Sequence, residues 1–148
     1  MNKLNIRKAT IDDAPEIARL SGELGYPVKA PVMRERLARI VEQDEHAVFV
    51  AETSEVAGWI HAAEEDLLVV GRHCEIRGLV VGSSQRGKGV GRRLIEAVEQ
   101  WAPTRGLKQI SLRSNVIRPE SHPFYERLGF ERYKTQHAYR KRLALPDS

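Results

Sequence analysis

Apolar residues change their period several times along this chain, and each change marks an element. Leu4 to Ala9 alternates apolar and polar positions, as a half-buried strand at a sheet edge does. Ile17, Leu20 and Leu24 then recur at helical spacing. Thr10 with Asp12 or Asp13 caps that helix, Pro15 sits in its first turn, and Gly25-Tyr26-Pro27 stops it. A second helix is expected after Pro31, with Val32, Leu37, Ile40 and Val41 inward and Arg34, Glu35, Arg36 and Glu42 outward. Period two returns from His46 to Glu52, and Thr53-Ser54-Glu55 turns the chain into a hairpin partner, Val56 to Ala63. Glu64-Glu65-Asp66 breaks the apolar run and reads either as a solvated face or as a lure for a cationic amine. Arg72 to Val81 is the next strand.

Val90, Leu94, Ile95 and Val98 give the face of a helix running from about Gly89 to Thr104, and Gln109 to Asn115 is the strand after it. Strand, helix and strand in that order predict a parallel crossover unit. Pro119 to Leu128 forms a short helix that Gly129 closes, although Pro123 leaves its start open. Phe130 to Tyr133 and Gln136 to Arg142 are expected to make a last strand pair, and Leu143 to Ser148 a frayed end. No repeat or linker interrupts the sequence, so residues 1–148 read as one domain of mixed α/β type.

Composition narrows the function classes. A chain of 148 residues can bury a core without disulfides. Hydrophobic residues at 41% and charged residues at 30% are ordinary for a globular protein in water. The basic N-terminus lacks the apolar run of a secretory signal, and no window approaches the ~18 apolar residues of a membrane span; the expectation is cytoplasmic, with no membrane partner. Cys74 is the single cysteine, which excludes an internal disulfide and suits a buried small side chain. The net charge of +4 gathers near the glycine loop and in Arg132 to Arg142 without a nucleic-acid-reading motif, so no nucleic acid is expected as partner. Three scattered histidines, His61, His73 and His122, lack metal-ligand spacing, and no metal is expected.

The chemistry concentrates where the Arg72 to Val81 strand meets the following helix. Between them runs Gln85-Arg86-Gly87-Lys88-Gly89-Val90-Gly91-Arg92-Arg93. Glycines bring backbone close to a ligand, and the first amides of a helix lie unpaired at the positive end of its dipole, which together suit a pyrophosphate. A P-loop requires Ser or Thr after its lysine, but Gly89 follows Lys88. The Rossmann fingerprint needs another glycine spacing. Arg86-x-x-Gly89-x-Gly91, preceded by Gln85, resembles the acetyl-coenzyme A signature of the GCN5-related N-acetyltransferases (GNAT).

A second stretch, Asn115 after a strand and then Phe124-Tyr125-Glu126-Arg127-Leu128-Gly129-Phe130, is similar to the coenzyme A-binding and catalytic segment of the same family. The resemblance covers Leu4 to Leu143. It implies a GNAT fold, a twisted mixed sheet of six to seven strands with about four helices on both faces. It also implies a cleft between the Arg72 to Val81 and Gln109 to Asn115 strands. Acetyl-CoA is the implied co-substrate. Leu79, Val80 and Val81 are expected to pair with its pantetheine arm, the amides from Arg86 through Gly87, Lys88, Gly89 and Val90 to Gly91 to hold its pyrophosphate, and Arg92 to add charge. Asn115 is expected to bond the coenzyme arm and Phe124 to pack beside it.

Tyr125 stands at the position of the family's usual general acid, next to the departing thiolate. Glu75, a carboxylate in an apolar strand, is the candidate general base; simple alternation puts it on one side with Arg77, Leu79 and Val81, and an ion pair with Arg77 or Arg113 is its structural alternative. Tyr26, in the break between the first two helices, falls where the family commonly builds a wall of the acceptor site. His122, one turn before Tyr125, is a candidate for orienting substrate. The expected partner is a small-molecule primary amine, acetylated directly in a ternary complex, and a homodimer is compatible with the resemblance. Peptide or protein acceptors, and a non-catalytic acyl-CoA sensor on the same fold, stand as alternatives.

Overall fold

The computed structural model describes residues 3–114 and 121–146. The chain divides into two compact units, Met1–Arg113 and Ser114–Ser148. In the first, β1 (Asn5–Lys8), β2 (His46–Glu52), β3 (Val56–Leu67), β4 (Gly71–Val81) and β5 (Ile110–Leu112) form one sheet in that order. The first three pairings are antiparallel, and β4 with β5 is parallel. Between the strands lie α1 (Ala14–Glu23), α2 (Ala30–Val41) and α3 (Val90–Thr104), the last being the crossover between β4 and β5. Among the described residues no helix is long and apolar enough to cross a membrane.

Both faces of the sheet are covered. Ile17 and Leu20 of α1 and Leu37 of α2 pack with Val50, Val56 and Val80, and Trp59 joins the edge of that cluster. On the opposite face α3 sinks Leu94, Ile95 and Val98 to near-zero exposure. It comes so close to β3 that a Cβ on Gly58 would lie 2.8 Å from the Val80 carbonyl oxygen, 3.1 Å from Val90 Cγ1 and 3.3 Å from Leu94 Cδ1. The obstruction includes backbone of the neighbouring strand, which cannot swing aside. Gly58→Ala is therefore expected to lower unfolding stability by about 1–3 kcal/mol, read from urea denaturation midpoints. Gly78 serves the other face, where a Cβ would meet the Trp59 ring at 2.8 Å.

Three expectations about the sheet change. β3 does not end at Glu64-Glu65-Asp66 but runs to Leu67, because arginines from elsewhere bond the acids. Arg72 Nε donates to Glu64 at 2.6 Å, Arg105 Nε to Glu64 at 2.9 Å, and Arg77 Nη2 to Glu65 at 3.0 Å. The expected strand pair within Phe130 to Arg142 does not form, so the described residues give five strands rather than six or seven. From Glu131 onward the described residues of that segment are exposed, its large rings Tyr133 and Tyr139 72% and 93% accessible, and its alternating pattern meets no neighbouring strand to pair with.

The third change concerns β4. His61 pairs with Gly78, but Ala62 pairs with Ile76, leaving Arg77 as an extra residue in a β-bulge. Residues directly opposite in an antiparallel pair share a face. Glu75 opposes Ala63, Gly78 opposes His61 and Val80 opposes Trp59, so Glu75 stands on the Val80 side and away from Leu79 and Val81. Unbroken alternation had put it with them.

The second unit contains α4 (Ser121–Arg127). Gly129, at φ 91°, ends it, with Gly129 N–H donating to the Glu126 carbonyl and Phe130 N–H to the Tyr125 carbonyl, both at 3.1 Å.

Candidate active site

Pairing between β4 and β5 is short. Cys74, Glu75 and Ile76 oppose Ile110, Ser111 and Leu112, and there it stops. Past the bulge at Arg77, Gly78 to Val81 pairs with β3 on one side and with no strand of the described residues on the other. Leu79, Val80 and Val81 thus lie on an open strand edge whose N–H and C=O groups can take an extended ligand.

The open edge feeds the glycine loop. After Gly82 comes a single 3-10 turn, Ser83–Gln85, and Arg86 is extended. Gly87 and Gly89 both hold left-handed backbone, φ 78° and 80°, and Gly89 is the N-cap of α3. The first bond of that helix runs from Arg93 N–H to the Gly89 carbonyl at 3.1 Å, so the amides of Val90, Gly91 and Arg92 have no acceptor within it. Val90 and Gly91 are buried and offer main chain only, whereas Arg86, Lys88, Arg92 and Arg93 are exposed cations around the same point. Arg92 Nε donates to Glu96 at 3.1 Å. An anion docked here would meet free amides, a helix dipole and mobile positive charge together.

At the inner end of the edge lies Glu75, 6% exposed. The Ser111 hydroxyl donates to Glu75 Oε2 across the parallel pair, and Arg113 Nη1 stands 3.5 Å from Oε1. His73 is also buried; its Nδ1 lies 3.2 Å from the Gly71 carbonyl, so that nitrogen carries the proton and Nε2 faces Glu65 at 3.5 Å and Glu75 at 3.7 Å. Glu65, His73 and Glu75 place one ligand atom each within 4.8 Å of one another. The same two carboxylates face guanidiniums, Glu65 that of Arg77 at 3.0 Å and Glu75 that of Arg113 at 3.5 Å. Glu65, Glu75, Ile76, Arg77 and Arg113 line a cavity of about 290 Å³. Cys74, by contrast, is fully buried, and burial followed by the charge of Glu75 pushes its thiol up to about 12, out of reach of nucleophilic use.

On the same face, His46 Nδ1 and His61 Nε2 are 2.9 Å apart, a contact that needs one ring to donate and the other to accept. Burial, then His46, then Arg77 push His61 down to about 4 from its ordinary 6.5. A histidine kept neutral by the fold binds fewer protons than the unfolded chain between those values. Its contribution is therefore complete above pH 6.5 and is lost as pH falls towards 4. Urea midpoints should decline over that window, by no more than about 1.4 kcal/mol per pH unit from this group, and His61→Gln should flatten the slope.

In the second unit, Tyr125 packs edge-to-face with Phe124, centroids 5.2 Å apart, and with Phe130 at 6.1 Å. Burial raises its phenol above the ordinary value, which keeps the proton on the oxygen at neutral pH. His122 is half-buried on the same short helix. Asn115 lies outside the described residues. Tyr26, 57% exposed between α1 and α2, is not among the described residues lining the cavity beside Glu75. The fold also brings in Glu65, from the acidic run readable either as a solvated face or as a lure for a cationic amine, and Ser111, which no motif marks and which reaches Glu75 only through the β4–β5 register.

A model of the family described as "Acetyltransferase (GNAT) family" matches residues 12–130. The chain is 30% identical over 142 residues to the uncharacterized N-acetyltransferase YjgM of Escherichia coli K12, covering 85% of this chain and 81% of that one. It is 30% identical over 132 residues to an aminoglycoside N(6')-acetyltransferase type 1 of Stenotrophomonas maltophilia, covering 85% of each. Among solved structures, the aminoglycoside N-acetyltransferase AAC(6')-Iy in complex with CoA superposes with a TM-score of 0.86 over 97% of both chains at 23% identity; that likeness is one of fold.

Proposed function

The chain belongs to the acetyltransferase (GNAT) family, and from that premise we propose that it moves an acetyl group from acetyl-CoA to the primary amine of a small molecule within a ternary complex. The observation that carries this is β4 itself: an edge opened at the Arg77 bulge, with unpaired helix amides at one end and a buried carboxylate at the other. The edge at Leu79, Val80 and Val81 takes the pantetheine arm. The main chain from Arg86 to Gly91 holds the pyrophosphate, and Arg92 adds charge on leaving Glu96. Asn115 and Phe124 complete the coenzyme contacts, as the second motif implies.

Glu75 accepts a proton from the acceptor ammonium, since the nitrogen lone pair must be free to attack the thioester carbonyl. Carbon–nitrogen bond formation is followed by loss of the carbon–sulfur bond; Tyr125 gives its proton to the leaving thiolate, and the surplus proton on the acylated nitrogen returns to the tyrosinate, leaving a neutral amide, a CoA thiol and the first proton on Glu75. Tyr26 and His122 contact the acceptor. The family match spans both compact units, which supports one functional domain over 1–148. A small amine is favoured because relatives include an aminoglycoside acetyltransferase, and a cytoplasmic location agrees with this chemistry.

Calorimetric titration with acetyl-CoA, desulfo-CoA and ATP, followed by thiol release with an amine panel, tests the proposal. Micromolar binding of the first two but not ATP, with CoA released only when amine is present, is the expected result. Binding of acetyl-CoA with no turnover on any small amine or peptide would instead mark a sensor module. No binding would remove the glycine loop as a coenzyme site.

A further inference from the structure

The cavity beside Glu75 has charges of both signs in a definite order. Its carboxylates are inside, Glu75 with 8% and Glu65 with 20% of the side chain exposed. Its guanidiniums are at the mouth, Arg77 with 42% and Arg113 with 73% exposed. Arg77 is tied to Glu65 at 3.0 Å. Arg113 makes one long ion contact, 3.5 Å to Glu75 Oε1, and no hydrogen bond among the described residues, which leave most of its five N–H donors unengaged. A contact of that length on an exposed side chain is weak and readily exchanged.

A simple alkylammonium entering here would take Glu75 from Arg113 and leave the guanidinium without a counter-charge at the mouth. A polycation would add repulsion against both arginines. A molecule carrying an ammonium and an anion a few bonds apart does neither, because its ammonium meets Glu75 while its anion meets the released Arg113. Every charge keeps a partner, and the guanidinium gains a forked contact in place of a single one.

We propose that the acceptor is a primary amine bearing a carboxylate, phosphate or phosphonate near its nitrogen, with Arg113, seconded by Arg77, binding that anion while Glu75 receives the ammonium. The inference rests on the reading of Glu75 as the proton-accepting end of the acceptor site.

The test pairs β-alanine and 2-aminoethylphosphonate with the neutral amide β-alaninamide and with the polycation spermidine. Each is measured for acetylation (kcat/KM) and, by calorimetry, for binding to the CoA-saturated protein. The anionic amines are expected to exceed the other two by roughly tenfold or more in kcat/KM, the scale of one charge-assisted pair. Arg113→Gln should raise KM for them about tenfold while shifting the amide less than about threefold, and Arg113→Lys should recover part of the loss. Arg113 is largely exposed, so these variants keep the fold. Equal or better use of the amide or spermidine, or an equal loss for every amine in Arg113→Gln, overturns the inference while leaving the transferase reading intact. Arg113-dependent binding of the anionic amines without acetylation upholds the pocket and overturns the transferase reading. Neither binding nor turnover overturns both.

Discussion

Glu75→Gln is expected to lower kcat by about 10²- to 10⁴-fold, the range that a positioned general base contributes, while leaving the affinity for acetyl-CoA within about twofold. The substitution is close to isosteric. Its amide oxygen still accepts from the Ser111 hydroxyl, so the buried contact across β4 and β5 survives. What disappears is the capacity to hold a proton, and with it the route by which an ammonium becomes a nucleophile. Steady-state turnover at saturating amine reads the first effect and calorimetry the second. A kcat within threefold of the parent would return Glu75 to a structural part, as partner of Ser111 and Arg113.

Gly89→Val should act at the other end of β4. At φ 80° a β-branched residue pays about 1–2 kcal/mol to stay left-handed, and the relaxed alternative rotates the peptide that starts α3. Nothing lies within 4 Å of a Cβ built there, so the effect arises from backbone conformation rather than collision. Because Val90, Gly91 and Arg92 owe the direction of their free amides to this cap, the dissociation constant for acetyl-CoA is expected to rise roughly 10- to 100-fold, as when one or two charge-assisted hydrogen bonds are lost. Arg92→Gln removes only an exposed side chain that spends its charge on Glu96, and should cost about threefold or less. Equal losses in the two variants would mean that charge, not amide geometry, holds the anion.

Much of the fold was legible because local period carries it. Helical spacing in α1 and α3 and alternation in β1 and β2 arise from which side of each element meets the core; in α2 the expected face is only partly inward, Leu37 being buried while Val32 and Val41 are 37% and 41% exposed. The glycine loop was readable for the same reason: Gly87 and Gly89 are needed where they stand by their own backbone angles. What the sequence hid depends on partners distant along the chain. The bulge at Arg77 follows from the register of β3 against β4, and one extra residue reversed the side assigned to Leu79 and Val81 relative to Glu75. Glu64 and Glu65 read as acids that stop a strand because Arg72, Arg77 and Arg105, which neutralise them, come from later elements. Alternation after Phe130 suggested strands, but a strand needs a neighbour as well as a pattern, and no described strand pairs with that segment, whose Tyr133, Tyr139, Leu143 and Leu145 stay exposed.

The six-membered ring of Trp59 lies against Gly78, the first paired residue beyond the bulge and the start of the open edge, where two of its carbons would stand 2.8 Å from an added Cβ. An aromatic ring seated there shares its surroundings with whatever occupies that edge, so its emission should shift when an extended ligand joins the strand. Trp101, on α3, is the only other indole in the chain. In a Trp101→Phe background, intrinsic fluorescence would then follow β4 alone, an optical gauge of edge occupancy written into the core and readable in real time without a label.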